Sequence, residues 1–520
     1  MTDVPANVSR GVGPGDAPSS GRAHRLRWAV LFFGSFAFYL LSATPNVQWQ
    51  DAGDFVLRVI RGQVIDEQGL CRSHPLHFWL CTFAMKVLPF TIPFSCAAVS
   101  ALGGAITVAN VYGIVKCLTN VTSAAWLAAT GLLLAHSFWR FSCFIEVYSV
   151  SAALLTAETW CLIRWDQTRK PAWLIAMFFF NGLGLANHDL ALLSLPVIGI
   201  VFLIAWGRRQ ASFRTAVLGL LAWLAGSCIY LVMVFQDAHE SGWRHAILSA
   251  TVGVFADQVK GNSLVLFYTT MTIALTLLSF PNLMLPAAVL GVLRGRRMGI
   301  GSISFFAILG SLFMHTLFVL RYNVIDQYTF AIPAYGLLTV LSGLGFAVVQ
   351  LRWPVAVRGK ILGLAAGLLA LAPVTYIVTA TVARHFHVLL GPYARNKPYR
   401  DDYRYLLIPW ARGEDSASHM SNRALDLAGK NGLIIEPIET KSFTIEYQLY
   451  VRKWDSVELI DKISPEKIAQ HVAAHQPVVY VPYNVDQLPP AVAAGRWQRV
   501  EDLYVLQPAA DSPATTQKAL

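Results

Sequence analysis

Long apolar runs constrain this chain more than any other feature of its sequence. Runs of about 18 or more apolar residues recur from Trp28 onward, and each can cross roughly 30 Å of hydrocarbon. Charged residues make up only 14% of the 520 residues, whereas soluble domains carry roughly a quarter. The mean hydropathy is +0.49. The sequence therefore predicts a mainly α-helical, polytopic membrane protein.

The net charge of +11 has the distribution of a membrane protein rather than that of a nucleic-acid-binding one. Lys and Arg cluster in short loops beside apolar runs, and such loops face the cytoplasm. Arg22, Arg25 and Arg27 precede the first run, so we expect a cytoplasmic N-terminus and an outer loop after this run. Four further basic loops, at residues 165–170, 207–209, 294–297 and 352–360, are predicted to be cytoplasmic. No nucleic-acid partner is expected.

The first outer loop and the basic loop at 165–170 are predicted to lie on opposite sides of the membrane, so an odd number of spans must separate them. Four apolar pieces lie between these loops, and one of them therefore does not span. We interpret residues 76–93 as this piece, a juxtamembrane or re-entrant helix, because it is short and contains Lys86, Pro89 and Pro93. The alternative, that it spans and a later piece does not, stays open. About eleven spans remain, near residues 28–45, 94–116, 123–139, 144–164, 171–186, 189–206, 213–235, 264–292, 300–320, 328–350 and 360–382.

Three regions follow from the change in composition along the chain. Residues 1–27 are rich in Gly, Pro and Ser and are predicted to form a disordered cytoplasmic tail. Residues 28–383 form the transmembrane domain. Residues 384–520 carry many charges and no long apolar run, and we predict a small extracytoplasmic α/β domain. Its signals are strands near residues 433–435, 456–460, 477–482 and 502–506 and a helix that begins at Ser464-Pro465.

Polar residues collect on the outer side of the predicted bundle. The loop at residues 47–79 contains Asp51, Asp54, Arg58, Arg61, Arg72 and His74. When the later membrane crossings are counted, Glu146, His188, Arg321 and Asp326 are also placed at the outer face. Such groups are costly in lipid and by default mark a functional site. We therefore predict that these residues line one outward-facing cavity.

Several short motifs in this order resemble a family of membrane glycosyltransferases with the GT-C fold, the DUF2723 family, which contains the TMEM260-type protein O-mannosyltransferases. Asp51-Ala-Gly-Asp54-Phe resembles Asp-x-Gly-Glu-Phe, His74-Pro75 resembles the start of His-Pro-Pro-Gly, and Glu146-Val147-Tyr148 resembles Glu-Val-Tyr. Gly184-Leu-Ala-Asn187-His188 and Asn323-Val-Ile-Asp326 with the later Pro333-Ala-Tyr335 resemble two further elements. Asp54 stands where the family usually has Glu, and Ala186 stands in place of Gly.

The resemblance implies a GT-C-type helix bundle that transfers a sugar from a polyprenyl-phosphate-linked donor to a hydroxyl group at the outer face. It also implies that the first acidic residue of the outer loop is the base, which points to Asp51, with Asp54 second. A poor hydroxyl nucleophile needs a carboxylate base, and a lipid phosphate leaving group needs only cations that hold its charge. Arg58, Arg61, Arg72 and Arg321 are the predicted phosphate ligands, because guanidinium groups bind phosphate bidentately. His74, Glu146, His188 and Asp326 are the predicted further substrate-binding residues.

A structural role stays open for each of these residues. Asp51 and Asp54 could cap a helix that begins near Phe55. The arginines could face lipid headgroups, and Arg321 could form a structural ion pair with Asp326.

No metal or other cofactor is evident in the sequence. Its seven cysteines show neither disulfide nor metal-ligand spacing. Carboxylates of the outer loop could still recruit a divalent ion, so a metal requirement stays open.

The sequence thus predicts an integral membrane glycosyltransferase, in the plasma (inner) membrane of a bacterium, that acts by inverting displacement. The donor is a polyprenyl-phosphate-linked mannose or other hexose. The acceptor is a protein Ser/Thr hydroxyl, a surface glycan or a lipid. Two alternatives of other classes stay open, namely a transporter or flippase for a lipid-linked substrate and a catalytically inactive GT-C-like scaffold. A transporter should show paired broken helices from internal repeats, and no such repeat is visible in the sequence.

Overall fold

The computed structural model describes residues 18–49, 51–257, 265–388, 390–437 and 443–508. The predicted disordered tail lies largely outside these residues. Residues 18–27 are an exception, because the first helix begins at Pro18 and the part of the tail that contains Arg22, Arg25 and Arg27 is helical. The prediction was wrong here, since good helix formers such as Ala and Arg extend the apolar helix into the basic segment.

The described part of the chain is mainly α-helical. In the membrane part the helices are α1 (Pro18–Ser42), α2 (Asp51–Arg61), α3 (Pro75–Val87), α4 (Ile92–Thr119), α5 (Thr122–Leu133), α6 (His136–Cys143), α7 (Tyr148–Thr168), α8 (Pro171–Asn187), α9 (Leu195–Gly207), α10 (Phe213–Ser241), α11 (Trp243–Thr251), α12 (Leu266–Ser279), α13 (Met284–Arg294), α14 (Ser302–Arg321), α15 (Ile332–Arg352) and α16 (Val355–His385). After them come α17 (Asp402–Leu407), α18 (Ser416–Ala428), α19 (Thr444–Arg452) and α20 (Pro465–Ala473).

Within the described residues, five helices are long and apolar enough to cross a membrane: α4, α10, α14, α15 with the turn before it, and α16. Two bent pairs raise the number to as many as seven, because α6 and α7 meet at 112° and α12 and α13 at 96°. The helices α5, α8 and α9 are also apolar but shorter. A polytopic helical membrane fold is therefore confirmed, while the number of about eleven spans stays a prediction.

Two of the predicted spans are broken rather than continuous. The segment predicted at 123–139 contains the end of α5 at Leu133 and the start of α6 at His136. The segment predicted at 264–292 is interrupted between Ser279 and Met284, where Pro281 removes a backbone donor and restricts the residue before it.

Helix α3, from the piece interpreted as non-spanning, has 13 residues. At about 1.5 Å per residue this helix is too short to cross the hydrocarbon core.

Glycines bring two helices of the bundle into backbone contact. A Cβ atom at Gly345 of α15 would overlap the carbonyl oxygen of Ala287 in α13, and one at Gly291 of α13 would overlap the carbonyl oxygen of Leu341. Lipid tails are as apolar as the helices, so such close packing is a main source of helix association in a membrane. The pairing of α13 with α15 therefore depends on these small residues.

The C-terminal region contains a five-stranded sheet in the order β2-β1-β3-β5-β4. The strands are β1 (Leu433–Ile435), β2 (Glu458–Ile460), β3 (Val478–Tyr480), β4 (Gly495–Val500) and β5 (Leu503–Pro508). The first three are parallel, with Ile434 opposite Leu459 and Val479, and β5 is antiparallel to both β3 and β4. The predicted helix start is confirmed, because the Ser464 hydroxyl accepts the backbone N–H of Lys467 at 3.3 Å.

Trp49 connects this α/β region to the start of α2. Its indole lies in the apolar cluster formed by α18 and the sheet, and its Nε1–H donates to Ser416 Oγ at 2.8 Å. Arg61, at the other end of α2, pairs with Glu446 of α19 at 2.5 Å. Helix α2, which carries Asp51 and Asp54, is thus held at both ends by the C-terminal region.

Candidate active site

Helix α2 begins with carboxylates and ends with cations. Asp51 and Asp54 lie in its first turn and Arg58 and Arg61 in its last turn, the arrangement that complements the helix dipole. Its apolar face, which includes Phe55 and Val56, is buried. The opposite face presents Asp51 and Asp54 to a cavity of about 680 Å³. Burial raises the pKa of Asp54 from 3.8 to about 6 despite the nearby Arg58.

Arg58 organises the loop that follows α2. Its five N–H groups are directed at Asp66 Oδ2 (3.2 Å) and at four backbone carbonyls, those of Gln63, Val64, Arg72 and Ser73. The side chain is 6% exposed. Its donors are therefore already used, and these contacts favour a structural role over the predicted phosphate binding.

Arg72 lies at the end of this loop and faces the cavity. Its guanidinium is 3.3 Å from Asp51 Oδ1 and 3.6 Å from Asp66 Oδ2, and it lies 5.9 Å from the ring centroid of Phe255. One quarter of the Arg72 side chain is exposed, and nearly two thirds of the Asp51 side chain is exposed. Both groups are thus accessible to a ligand in the cavity.

Two histidines form one wall of the cavity. The His74 and His188 rings are 4.9 Å apart. His74 precedes Pro75 with a φ of 49°, and its Nδ1 donates to the carbonyl of Asn187 at 2.9 Å. His188 Nδ1 accepts the backbone N–H of Leu190 at 3.2 Å. These partners assign the proton to Nδ1 of His74 and to Nε2 of His188 when each ring is neutral. Burial holds the pKa of His74 well below 6.5.

Glu146 and Asp326 reach the cavity from two breaks in the helix bundle. Glu146 lies in the bend between α6 and α7, where its backbone N–H and C=O both bond to the Ser100 hydroxyl, at 3.1 and 2.8 Å. Asp326 lies just before the turn that leads into α15. Burial and the nearby Asp51 raise the pKa of Asp326 to about 6. Residues far apart in the sequence therefore meet at one cavity.

Eight of the ten predicted site residues line this cavity: Asp51, Asp54, Arg58, Arg72, His74, Glu146, His188 and Asp326. The other two do not. Arg61 points to Glu446 in the C-terminal region, and Arg321, at the end of α14, is exposed away from the cavity wall. The prediction of a shared cavity was wrong for these two because spacing along a loop or helix does not fix the direction of a side chain.

Other wall residues were not predicted as site residues. Arg395 follows the last apolar helix and reaches the cavity, where its charge acts on Asp326. No sequence signal distinguishes Arg395 from the other cations of the C-terminal region. Asp189 and Tyr322 also line the cavity, and their adjacency to His188 and to the Asn323–Asp326 motif was the available signal. Among the described residues, no three His, Cys, Asp or Glu side chains are arranged as metal ligands.

The sequence and the fold of this chain are similar to those of known proteins. Residues 51–212, which include Asp51, His74, Glu146 and His188, match the family model of the protein O-mannosyl-transferase TMEM260 N-terminal domain. The fold is similar to that of ArnT from Cupriavidus metallidurans. The crystal structure of ArnT bound to undecaprenyl phosphate has a TM-score of 0.59 and 11% identity over 92% of this chain and 97% of that chain. At this identity the similarity to ArnT shows a shared fold, and the family match covers residues 51–212 of the 520 residues.

Two further solved structures are similar to this chain. The apo structure of the same ArnT gives a TM-score of 0.60 and 11% identity, over 93% of this chain and 98% of that chain. The apo oligosaccharyltransferase of Archaeoglobus fulgidus gives a TM-score of 0.46 and 14% identity, over 85% and 70%. No curated protein has a significantly similar sequence.

Proposed function

We propose that the enzyme transfers a hexose from a polyprenyl-phosphate donor to a hydroxyl acceptor, with inversion at the anomeric carbon. The observation that carries this proposal is the cavity itself. Carboxylates, cations and histidines from α2, the following loop and three later breaks in the bundle line about 680 Å³. A cavity of this size holds a sugar and its phosphate, since ligand pockets are typically about 300–1,000 Å³.

Arg72 and Arg395 are the proposed ligands of the donor phosphate. Both line the cavity, and guanidinium groups bind phosphate oxygens bidentately. Leu192, Val252 and Phe318 provide an apolar side of the same cavity for the start of the polyprenyl chain. The fold neighbour ArnT was crystallised with undecaprenyl phosphate, which supports a donor of this chemical class.

Asp51 is the proposed base. Its carboxylate takes the proton of the acceptor hydroxyl while the oxygen forms a bond to the anomeric carbon of the sugar. The bond from that carbon to the phosphate oxygen breaks at the same time, and the electron pair leaves with the polyprenyl phosphate. Arg72, which is 3.3 Å from Asp51, is placed to hold the developing charge of the leaving group. Asp54 is the second candidate for the base.

Mannose and a protein Ser/Thr acceptor are the substrates suggested by the name of the matching family, and a glycan or lipid acceptor is the alternative. We place the enzyme in the plasma (inner) membrane of a bacterium, with the N-terminus in the cytoplasm and residues 384–520 as a small extracytoplasmic α/β domain. Membrane lipid is its permanent partner.

The replacement Asp51→Asn tests the base. We expect a loss of about 10²–10⁴-fold in kcat, because a general base contributes about this factor, and unchanged binding of undecaprenyl phosphate. The assay is release of free undecaprenyl phosphate from a panel of undecaprenyl-phosphate hexoses by the purified enzyme.

Asp237→Asn is the matched control, because Asp237 pairs with His245 outside the cavity. Full turnover by Asp51→Asn would refute the base assignment. A transporter would move the donor lipid between leaflets without releasing the phosphate, and an inactive scaffold would do neither.

A further inference from the structure

A second, smaller chamber lies beside the main cavity. Its volume is about 110 Å³. The two spaces share Asp51, Glu146, Asp326 and Arg395 as wall residues. The proposed base therefore faces both spaces, and a group in the small chamber can approach Asp51 from a different side than the donor.

The walls that are not shared differ in chemistry. Those of the main cavity include aliphatic residues of the membrane helices and turns. Those of the small chamber are mostly aromatic rings and cations, among them Trp49, Arg140, Tyr328, Tyr393 and Tyr405, with Ala52 and Leu406 as the aliphatic side chains. This chamber is thus unsuited to a lipid tail and suited to a polar group with a flat face.

Arg140 is the polar centre of this chamber. It is 4% exposed and lies between the rings of Phe144 and Tyr405, 4.0 and 4.4 Å from their centroids. Its Nη1 donates to the carbonyl of Tyr405. No carboxylate of the described residues lies within 4.0 Å of its guanidinium. A buried guanidinium carries five donors, so donors remain for a bound ligand.

Charge and size both favour a neutral polyhydroxyl group. Arg400 pairs with Asp402, and Asp51 pairs with Arg72. Arg140 and Arg395 then face Glu146 and Asp326 across the chamber, so neither a free anion nor a cation is preferred. Hydroxyl groups, which both donate and accept, can use both kinds of wall group. At roughly 10–15 Å³ for each water, the chamber of about 110 Å³ has room for about seven to eleven water-sized positions. This volume is close to that of one hexose ring, whereas a Thr side chain would leave most of the chamber unfilled.

We propose that this chamber is the acceptor site and that it binds one neutral sugar ring, so that the acceptor is a glycan. The inference rests on the proposed function. The reaction is the one given above, with a hydroxyl of this sugar as the oxygen that loses its proton to Asp51 and forms the bond to the anomeric carbon of the donor hexose. Arg140 holds the acceptor ring and touches neither the donor phosphate nor the bond that breaks.

The test uses the full-length purified enzyme with an undecaprenyl-phosphate hexose donor and two acceptor probes, methyl α-mannoside and N-acetyl-threonine methylamide. We expect kcat/KM for the glycoside to exceed that for the threonine compound at least tenfold. Leu406→Trp, which fills the small chamber, and Arg140→Lys should each raise KM for the glycoside at least tenfold while binding of undecaprenyl phosphate stays within twofold. Leu192→Trp, which changes only the main cavity, should weaken undecaprenyl phosphate binding instead.

A preference for the threonine probe by the wild-type enzyme would overturn the inference and leave the proposed function in place. So would unchanged glycoside KM in a folded Leu406→Trp or Arg140→Lys enzyme. If Leu406→Trp does not fold, the preference of the wild-type enzyme between the two probes and the glycoside KM of Arg140→Lys still test the inference. Failure of the wild-type enzyme to release undecaprenyl phosphate with either probe, or with water, would overturn the proposed function and the inference together.

Discussion

Arg58 lies in the last turn of α2 and Arg72 at the end of the loop that follows, and their guanidinium groups have different surroundings. Arg58 is buried and bonded to four carbonyls of the loop and to Asp66. Arg72 is partly exposed and faces the cavity beside Asp51. The first arginine therefore shapes the loop, and the second is available to the substrate.

Replacing each arginine by Gln separates these roles. Arg72→Gln should weaken undecaprenyl phosphate binding by about tenfold or more with little change in melting temperature, because a charge-assisted hydrogen bond contributes about 1.5–3 kcal/mol. Arg58→Gln should unfold at a lower temperature, since breaking a buried pair costs about 3–5 kcal/mol. Thermal unfolding in detergent and a binding titration measure the two effects. A stable Arg58→Gln enzyme with weak lipid phosphate binding would contradict this division.

The raised pKa of Asp326 predicts that the stability of the protein depends on pH. Its pKa is about 6 in the folded protein against 3.8 as the ordinary value. The Asp326 carboxyl therefore binds a proton more tightly in the folded state than in the unfolded state. The stabilisation that this proton gives to the folded state is lost as the pH rises from about 4 through about 6. Asp326→Asn should melt at a higher temperature than the wild type at pH 8, with the difference disappearing near pH 4. We expect on the order of 1 kcal/mol, because the side chain keeps contact with the cavity.

Unfolding curves of both proteins at pH 4, 6 and 8 measure this difference. Asp237→Asn, remote from the cavity, is expected to show no such pH-dependent gain. Equal melting temperatures of Asp326→Asn and the wild type at pH 8 would contradict the raised pKa as the source of instability.

At the scale of elements, the loop after α2 is held by α11 and the segment that follows α11. The backbone N–H of Leu70 donates to Ser249 Oγ at 3.0 Å, and that of Val254 donates to the carbonyl of Gln68 at 3.2 Å. Gly253 lies between these contacts with a φ of +50°. The position of Arg72 in the cavity thus depends on a second element, far away in the sequence.

Gly253→Ala should displace this loop. Its new Cβ would lie 2.6 Å from the carbonyl oxygen of Gln68 and 2.8 Å from Cys71 Sγ. We expect lower stability by about 1–3 kcal/mol, because strain and overpacking both contribute, and weaker undecaprenyl phosphate binding. Gly242→Ala is the control, since Gly242 also has a positive φ of +86° but nothing within 4 Å of the new Cβ. An equal loss of lipid phosphate binding in both variants would show that backbone strain, and not the contact with the loop, is responsible.

At the scale of the whole molecule, the cavity lies in the helix bundle and borders the C-terminal region at Arg395. Trp49 and Arg61 tie α2 to that region, and Arg395 comes from the chain that follows the last apolar helix. The C-terminal region thus holds the helix that carries the proposed base and supplies a cation to the cavity.

Orientation in the membrane can be tested by labelling. In a background without the native cysteines, we expect Glu67→Cys and Lys462→Cys to react with a membrane-impermeant maleimide in intact cells. Arg208→Cys should react only after the membrane is opened. These residues are exposed, and the basic loop at 207–209 is predicted to be cytoplasmic. Labelling of residues 67 and 462 from opposite sides would contradict a single outer site.

The sequence by itself determined the helical membrane fold and the grouping of most site residues. Hydropathy reflects the transfer free energy of each segment, and the parity of crossings then assigns polar loops to one side. This reasoning brought Asp51, Glu146, His188 and Asp326 to one cavity before any contact was known.

Only the tertiary structure decided which cations face that cavity. Arg58 turns into its own loop, Arg61 turns toward Glu446, and Arg395 arrives from a distant segment. The same holds for the broken helices, where a bend at Phe144–Val147 directs Glu146 inward. The direction of a side chain depends on the packing of segments that are remote in the sequence, and neither spacing nor hydropathy records that packing.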